Sequence, residues 1–274
     1  MKQLVRNVHI IGTGSYIPET VYTNEYLETI VPTSAKWIEE NLGIKERRIA
    51  LPNQKTSDLA AEAGKKAIEN AGLKPDDIEL IIVATATPDR LAPSTAAIVQ
   101  DKLKAYNSVA FDLAAVCSGF LFGISTASQF IATGVYNNAL VIGADTFSKI
   151  IDWSRRDCVF FGDGAGAAVL SHTETDGGFL AFRLYTDGRG KWNFTIPGGG
   201  SEFPLSYENV DAGYRYFQMN GKAVYETGVK VLPKAIWQVL KDTGLSINDI
   251  DYMIPHQPSI KILKDTAEII GLPF

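Results

Sequence analysis

Two residues of this 274-residue chain have the type and setting for covalent catalysis. Cys117 lies in AFDLAAVCSGFLFGISTASQF, where an apolar run over 109–113 passes through small residues into a segment with an apolar stripe at Phe120, Ile124, Ala127 and Ile131. That stripe has helical period, so the cysteine falls at or just before a helix's first turn. Unpaired amide N–H groups and the positive end of the helix dipole favour a thiolate there, which predicts a thiol pKa below the ordinary value of about 8.5. Local context leaves Cys117 open between a nucleophile and a packed structural cysteine. Cys158, beside a strand in DCVFFGDG, reads as the packed kind.

His256 follows an apolar segment in IDYMIPHQPSIKILKDTAEII, where Pro255 and Pro258 predict the end of a strand and the start of a helix. Loops at the carboxyl ends of strands in α/β sheets collect catalytic groups. His9, inside the first predicted strand, and His172, ending another, read as packing or surface residues. Two glycine-rich pieces read as tight turns. Gly12–Ile17 lacks the third glycine of a dinucleotide loop, and Gly162–Gly166 leads into a strand and not a helix. No His, Cys, Asp or Glu cluster has zinc or calcium spacing, so no metal is expected.

The elements that must position these residues alternate along the chain. Asp58–Ala71 has a helical apolar stripe, with Asp58 near its start and Gly72 just past its end, and Ile78–Thr85 is a short apolar run typical of a strand covered on both faces. Further strands are predicted at Val8–Ile11, Val109–Leu113, Ala139–Ile142 and Ala167–Leu170, with helices at Pro93–Leu103 and Cys117–Thr133. This is an α/β layered pattern. The segment AGLKPDDIELIIVAT (71–85) also lies over TGLSINDIDYMIPHQ (243–257) at a constant offset of 172, as from Gly72 to Gly244, and each copy follows an amphipathic helix, the second at Val224–Lys241. Chance at a natural helix–loop–strand connection is the alternative to duplication. Two equivalent halves would carry the second roughly 70 residues beyond Phe274.

Composition narrows the function classes. With 46% hydrophobic and 21% charged residues, the chain is that of a soluble globular protein. A net charge of −5, with no basic run longer than Arg47-Arg48 or Arg155-Arg156, argues against nucleic acid. No stretch reaches the roughly 18 apolar residues of a membrane span. Lys2 and Arg6 precede too short an apolar run for a secretory leader, and two cysteines fit a reducing, cytoplasmic setting.

IIGTGSYIPE (10–19), TSAKWIEENLGIKERRIA (33–50), DLAAVCSGF (112–120), FGDGAGAAVL (161–170) and PHQ (255–257) together resemble β-ketoacyl-acyl carrier protein synthase III. The resemblance implies a thiolase-like, five-layered αβαβα fold from two duplicated halves, here 1–172 and an incomplete 173–274, and a homodimer without cofactor. The implied reaction is a decarboxylating Claisen condensation that starts fatty acid synthesis. Cys117 would take the acyl group from an acyl-CoA as a thioester. Malonyl-acyl carrier protein would supply the second group, with His256 stabilising the enolate and oxyanion. Trp37 matches the aromatic residue that stacks on the CoA adenine. Arg155 is nearest to the arginine on the other side, with Arg156 adjacent. Lys261 matches a basic position of the carrier-protein docking surface, where Glu268 departs from the pattern.

Other departures carry expectations. The second CoA-flanking arginine is Asn41, and the asparagine that contacts the pantetheine arm is Ser259. Ala92 replaces a bulky aromatic at the mouth of the acyl pocket, which would admit a longer or branched primer. The family's catalytic asparagine and Gly-rich segment are expected beyond residue 274, so the chain as given is expected to lack condensing activity. A related ketosynthase of secondary metabolism and a non-catalytic dimerising relative are the rival readings.

Overall fold

The computed structural model describes residues 7–210 and 212–274; Lys2 and Arg6, used above against a leader, lie outside the described residues. In chain order the elements are β1 (Asn7–Tyr16), β2 (Thr20–Thr23), α1 (Asn24–Glu28), α2 (Ala35–Leu42), β3 (Glu46–Ile49), α3 (Thr56–Asn70), β4 (Leu80–Ala84), α4 (Thr95–Leu103) and β5 (Val109–Leu113). They continue with α5 (Gly119–Ala132), β6 (Asn138–Thr146), β7 (Asp163–Thr173), β8 (Phe194–Thr195), α6 (Tyr207–Val210), β9 (Gln218–Met219), α7 (Gly221–Thr243) and α8 (Ile260–Ile270). Contacts divide the chain into two interleaved units.

The first unit comprises the residues up to Val21, Arg48–Phe147 and Gly162–Leu180. Its mixed five-stranded sheet has the order β1-β7-β6-β4-β5, with β4 parallel to β5 and β6, and β7 antiparallel to β6 and β1. Every residue of β4 is buried, as expected for a strand covered on both faces. Side chains alternate accordingly. Ile81, Val83, Leu140 and Ile142 share a core with Leu59, Ala63 and Ala67 of α3 and Val99 of α4. On the opposite face α5 meets Ile82 and Val141 at Gly123.

Helix α3 begins two residues before its predicted start, because the Asp58 carboxylate accepts the Lys55 amide at 2.8 Å and closes a first turn ahead of Asp58. Gly12 and Gly14 are not in a turn. They lie inside β1, where a Cβ would come within 2.4 Å of the Ala67 carbonyl oxygen and 2.3 Å of the Ala63 carbonyl oxygen respectively. Their lack of side chain is what lets α3 lie directly on the strand, and glycine hid a ten-residue strand from periodicity. Gly164 and Gly166 are likewise inside β7, and a Cβ at Gly166 would meet nothing within 4 Å.

The second unit comprises Tyr22–Arg47, Ser148–Phe161 and Ala181–Phe274. Phe217 is its buried centre, with ring centroids 4.9 Å from Phe161 and 4.6 Å from Phe194. Helix α7 packs on α8 where Gly228 faces Ile262. The repeated segments fold alike at their turns. Gly72 and Gly244 end their helices at φ +69° and +70°, Leu73 and Leu245 each bond back to a carbonyl at 3.1 Å, and Asp77 and Asp249 each accept an amide three residues earlier. The segments then diverge. The predicted strand before His256 does not form: 250–257 pairs with no described strand, and Tyr252 and Ile254 are 89% and 94% exposed. A strand needs a neighbour's backbone hydrogen bonds, and an apolar run alone does not supply them.

The close approach in β1 sets an expected outcome. Gly14→Ala should cost about 2 kcal/mol or more in denaturant unfolding, because the new methyl overlaps backbone and not a movable side chain. Gly166→Ala should stay within about 0.5 kcal/mol.

Candidate active site

In the first unit, β5 ends at Leu113 and the chain reaches α5 through a 3₁₀ turn at Val116–Ser118. Cys117 is therefore held on a turn of only three residues between strand and helix, and it is exposed. Val116 has φ +46°, a left-handed conformation that a β-branched residue rarely adopts. Backbone strain of this kind persists only where surrounding structure imposes it. The imposing contact is close by. Gly119 brings α5 down onto the end of β4, where a Cβ on Gly119 would sit 3.0 Å from the Ala84 Cβ, and Gly123 would clash with Val141 at 2.8 Å. No side chain caps the α5 N-terminus, which leaves its first amides directed toward the Cys117 turn.

The direction of the thiol pKa reverses the expectation from the helix dipole. Protein packed around the sulfur removes water from the thiolate, and the Asp145 carboxylate adds repulsion. Together they outweigh a hydrogen bond from the backbone, so the Cys117 pKa is raised. Sequence reading missed Asp145, whose position at the end of β6 gives no local signal. The same end of the sheet carries the loop with Ala92, which is exposed. Asp89 accepts the Ser57 amide and hydroxyl at 2.9 and 2.7 Å, and Asp112 accepts the Thr95 and Ala96 amides, both at 2.7 Å. These bonds fix the loop at both ends.

In the second unit the Arg156 guanidinium stacks over the Trp37 indole at 3.7 Å to the ring centroid. Such a contact at an exposed site is worth about 0.5–1 kcal/mol. Arg155, nearer the expected position, instead pairs with Asp157 at 2.8 Å. The platform depends on Arg47, which the sequence presents only as half of a basic pair. Its buried guanidinium donates to Asn24 Oδ1 at 2.7 Å and to the Val159 carbonyl at 2.8 Å, tying the 156–160 turn that carries Arg156 to the start of α1. Cys158 is buried beside it. Desolvation first, then Asp157, pushes its thiol up to about 11, so it stays protonated.

Asn41 donates to the Trp37 carbonyl at 2.9 Å within α2. Helix α2 meets α8 where Gly43 lies against Ile260, so the helix carrying Trp37 packs on the helix that follows His256. Ser259 caps α8 by accepting the Ile262 amide. Lys261 lies over the Tyr225 ring at 4.8 Å, and the Tyr225 hydroxyl donates to Asp265. His256 is exposed, yet desolvation lowers its pKa, which favours a neutral imidazole with one N–H donor and one acceptor. Among the described residues no three His, Cys, Asp or Glu side chains are placed to hold a metal ion, and no helix is long and apolar enough to cross a membrane.

Comparison with known proteins gives consistent matches. Residues 111–188 match the family model described as 3-oxoacyl-[acyl-carrier-protein] synthase III. The β-ketoacyl-[acyl-carrier-protein] synthase III of Caldanaerobacter subterraneus is 52% identical over 264 residues, covering 96% of this chain and 80% of the relative. That of Clostridium acetobutylicum is 47% identical over 269 residues, covering 98% and 82%. Among solved structures, 3-oxoacyl-[acyl-carrier-protein] synthase III from Aquifex aeolicus superposes with TM-score 0.88 at 38% identity, over 97% of this chain and 82% of that one. The priming β-ketosynthase of the R1128 polyketide pathway superposes with TM-score 0.88 at 28% identity, over 100% and 81%.

The two pKa directions are measurable. The pH profile of Cys117 alkylation, followed by peptide mass, should inflect above about 8.5, and the His256 ring-proton NMR titration should have its midpoint below about 6.5. An alkylation inflection below the free-thiol value would contradict the electrostatics described above.

Proposed function

This chain belongs to the 3-oxoacyl-[acyl-carrier-protein] synthase III family, and from that premise we propose Cys117 as its acyl-carrying nucleophile and His256 as the donor to the developing oxyanion. The enzyme is an acyltransferase of the condensing type on a thiolase-like α/β fold, acting at the initiation of fatty acid synthesis. The observation that carries the residue assignment is the position of Cys117, on a strained three-residue turn at the uncapped start of α5.

The chemistry follows from that position. The Cys117 thiol loses its proton as the sulfur attacks the acyl-CoA thioester carbon. The carbonyl electrons collect on oxygen, where α5 amides can donate, and collapse of this intermediate expels CoA sulfur, which leaves as the protonated thiol. Malonyl-acyl carrier protein then loses CO₂. The electron pair freed from that C–C bond becomes an enolate, whose oxygen needs a hydrogen-bond donor. A neutral His256 offers one N–H, and a donor of this sort is worth about 2.7–4 kcal/mol in a transition state. The enolate carbon attacks the carbonyl carbon of the Cys117 thioester, the C–S bond breaks as 3-ketoacyl-carrier protein forms, and the released Cys117 thiolate takes its proton from water.

Trp37 with Arg156, in place of Arg155, is proposed to receive the flat CoA adenine, Ser259 to lie along the CoA arm, and Lys261 to meet the carrier protein. No cofactor enters this scheme; CoA and carrier protein are substrates. Ala92 sets little bulk at its loop, which favours primers longer than acetyl or branched. The likeness to a priming ketosynthase of a polyketide pathway gives the second reading, a related enzyme with another primer. The halves 1–172 and 173–274 are proposed as a duplication, supported by the matching turns at 72–78 and 244–250. The two free cysteines support a reducing, cytoplasmic setting.

A homodimer is proposed through β5. It is an outer strand of its sheet, with Val109 49% exposed, and α5 beside it exposes Leu121 at 62%. An uncovered edge of this kind invites pairing with a second copy. Sedimentation should give a dimer, and Ala110→Pro should shift it toward monomer by removing an edge N–H and adding a ring; a monomer in the unsubstituted protein would end this reading.

For the reaction, incubation with a panel of acyl-CoAs should add the acyl mass to the peptide containing Cys117. The adduct should vanish in Cys117→Ala. Branched and medium-chain acyl groups should load at least as well as acetyl, while loading confined to aromatic or long acyl groups would favour the secondary-metabolism reading.

A further inference from the structure

Helices α7 and α8 carry a local excess of positive charge in an acidic chain, six lysines against four carboxylates where the whole sequence has a net charge of −5. Three of those carboxylates are occupied. Asp242 pairs with Arg183, Glu226 lies 3.9 Å from the Lys222 ammonium one turn before it, and Asp265 accepts the Tyr225 hydroxyl. The last of these leaves a lysine without a carboxylate.

Lys261 and Asp265 stand four residues apart on α8, a spacing at which a helix brings opposite charges together. The same order and spacing does so twice elsewhere, at 3.8 Å between Lys36 and Glu40 and 3.9 Å between Lys222 and Glu226. Lys261 makes no ion pair among the described residues. Its ammonium lies 4.8 Å from the centre of the Tyr225 ring, while the hydroxyl of that ring donates to Asp265. One tyrosine on α7 thus takes up both partners, the cation on its face and the carboxylate at its tip. A neutral ring attracts a cation without cancelling its charge. Lys261 is exposed, so its charge and N–H donors stay open to a group arriving from outside.

We propose that Tyr225 is a positioning residue for carrier-protein docking: by holding Asp265 it keeps Lys261 unpaired, with the ammonium set over its ring, for the carboxylates of an acidic carrier. The proposal rests on Lys261 meeting the carrier protein. Without the hydroxyl, Asp265 would turn to the lysine one turn before it, and docking would have to break an ion pair within α8 before making one across the interface. The ring alone cannot prevent this. The hydrogen bond to Asp265 also raises the Tyr225 pKa, so the hydroxyl keeps its proton, and the latch its donor, across the neutral range.

The test is the affinity of a fluorescently labelled holo-acyl carrier protein for the full chain, read by anisotropy at low salt, with the melting temperature as the check on folding. Tyr225→Phe keeps the ring and removes the donor. It should weaken binding about threefold, the scale of one exposed ion pair. Adding Asp265→Asn should recover that loss, and Asp265→Asn should tighten binding more in Tyr225→Phe than in the original protein. In a Lys261→Ala background, Tyr225→Phe should change nothing. Equal affinities for the original protein and a folded Tyr225→Phe would overturn the proposal, as would a loss in Tyr225→Phe that survives Asp265→Asn or Lys261→Ala unchanged. Undiminished carrier binding by Lys261→Ala alone would instead remove the docking reading of Lys261 on which the proposal stands.

Discussion

Carboxylates bonded to backbone amides hold together the end of the sheet where the chemistry is placed. A loop leaving a buried strand carries amides that lose water on folding and must find acceptors. Here Asp89, Asp112 and Asp163 supply them across sequence separations of 16 to 113 residues. Charge-assisted bonds of this kind are roughly twice as strong as neutral ones. The order of the loop bearing Ala92 depends on the first two of these carboxylates.

The two cysteines show how the same side chain is given different fates. Cys158 is enclosed in a turn held by Arg47, beside a guanidinium whose attraction is too weak to offset burial and Asp157. Cys117 is exposed on a turn whose backbone is strained and whose helix begins without a side-chain cap. Packing decides the first. Electrostatics decide the second, and there the helix dipole loses to desolvation and a nearby carboxylate.

Much of the first unit was legible because its signals are local. The apolar run at 80–84, the helical stripe of α3 and the small residues ahead of Cys117 each report on their immediate neighbours. The extent of β1 was not legible, since Gly12 and Gly14 answer to a helix some fifty residues away. Asp145 was invisible for the same reason: its partners at 85–87 lie about sixty positions earlier in the chain. The choice between Arg155 and Arg156 turned on which guanidinium reaches the Trp37 face, a matter of turn geometry that spacing does not carry. The segment before His256 shows the converse. Its turn shares with that of 72–78 the left-handed glycine, the leucine amide bonded five residues back and the aspartate that accepts an amide three residues earlier, while its strand, which depends on a neighbour, is missing.

The glycines of α5 carry a last consequence. Residues 119 and 123 are one helical turn apart on the side that meets β4 and β6, and each lies where a methyl group would strike a sheet side chain. The depth at which the helix sits is therefore written in two missing side chains, and the Cys117 sulfur rides at the end of that helix like a tool at the end of a fixed arm. A substitution at 123, six residues from Cys117 and packed against Val141, would change the reach of the arm. Specificity in this enzyme is open to adjustment from inside the core as well as from the pocket wall.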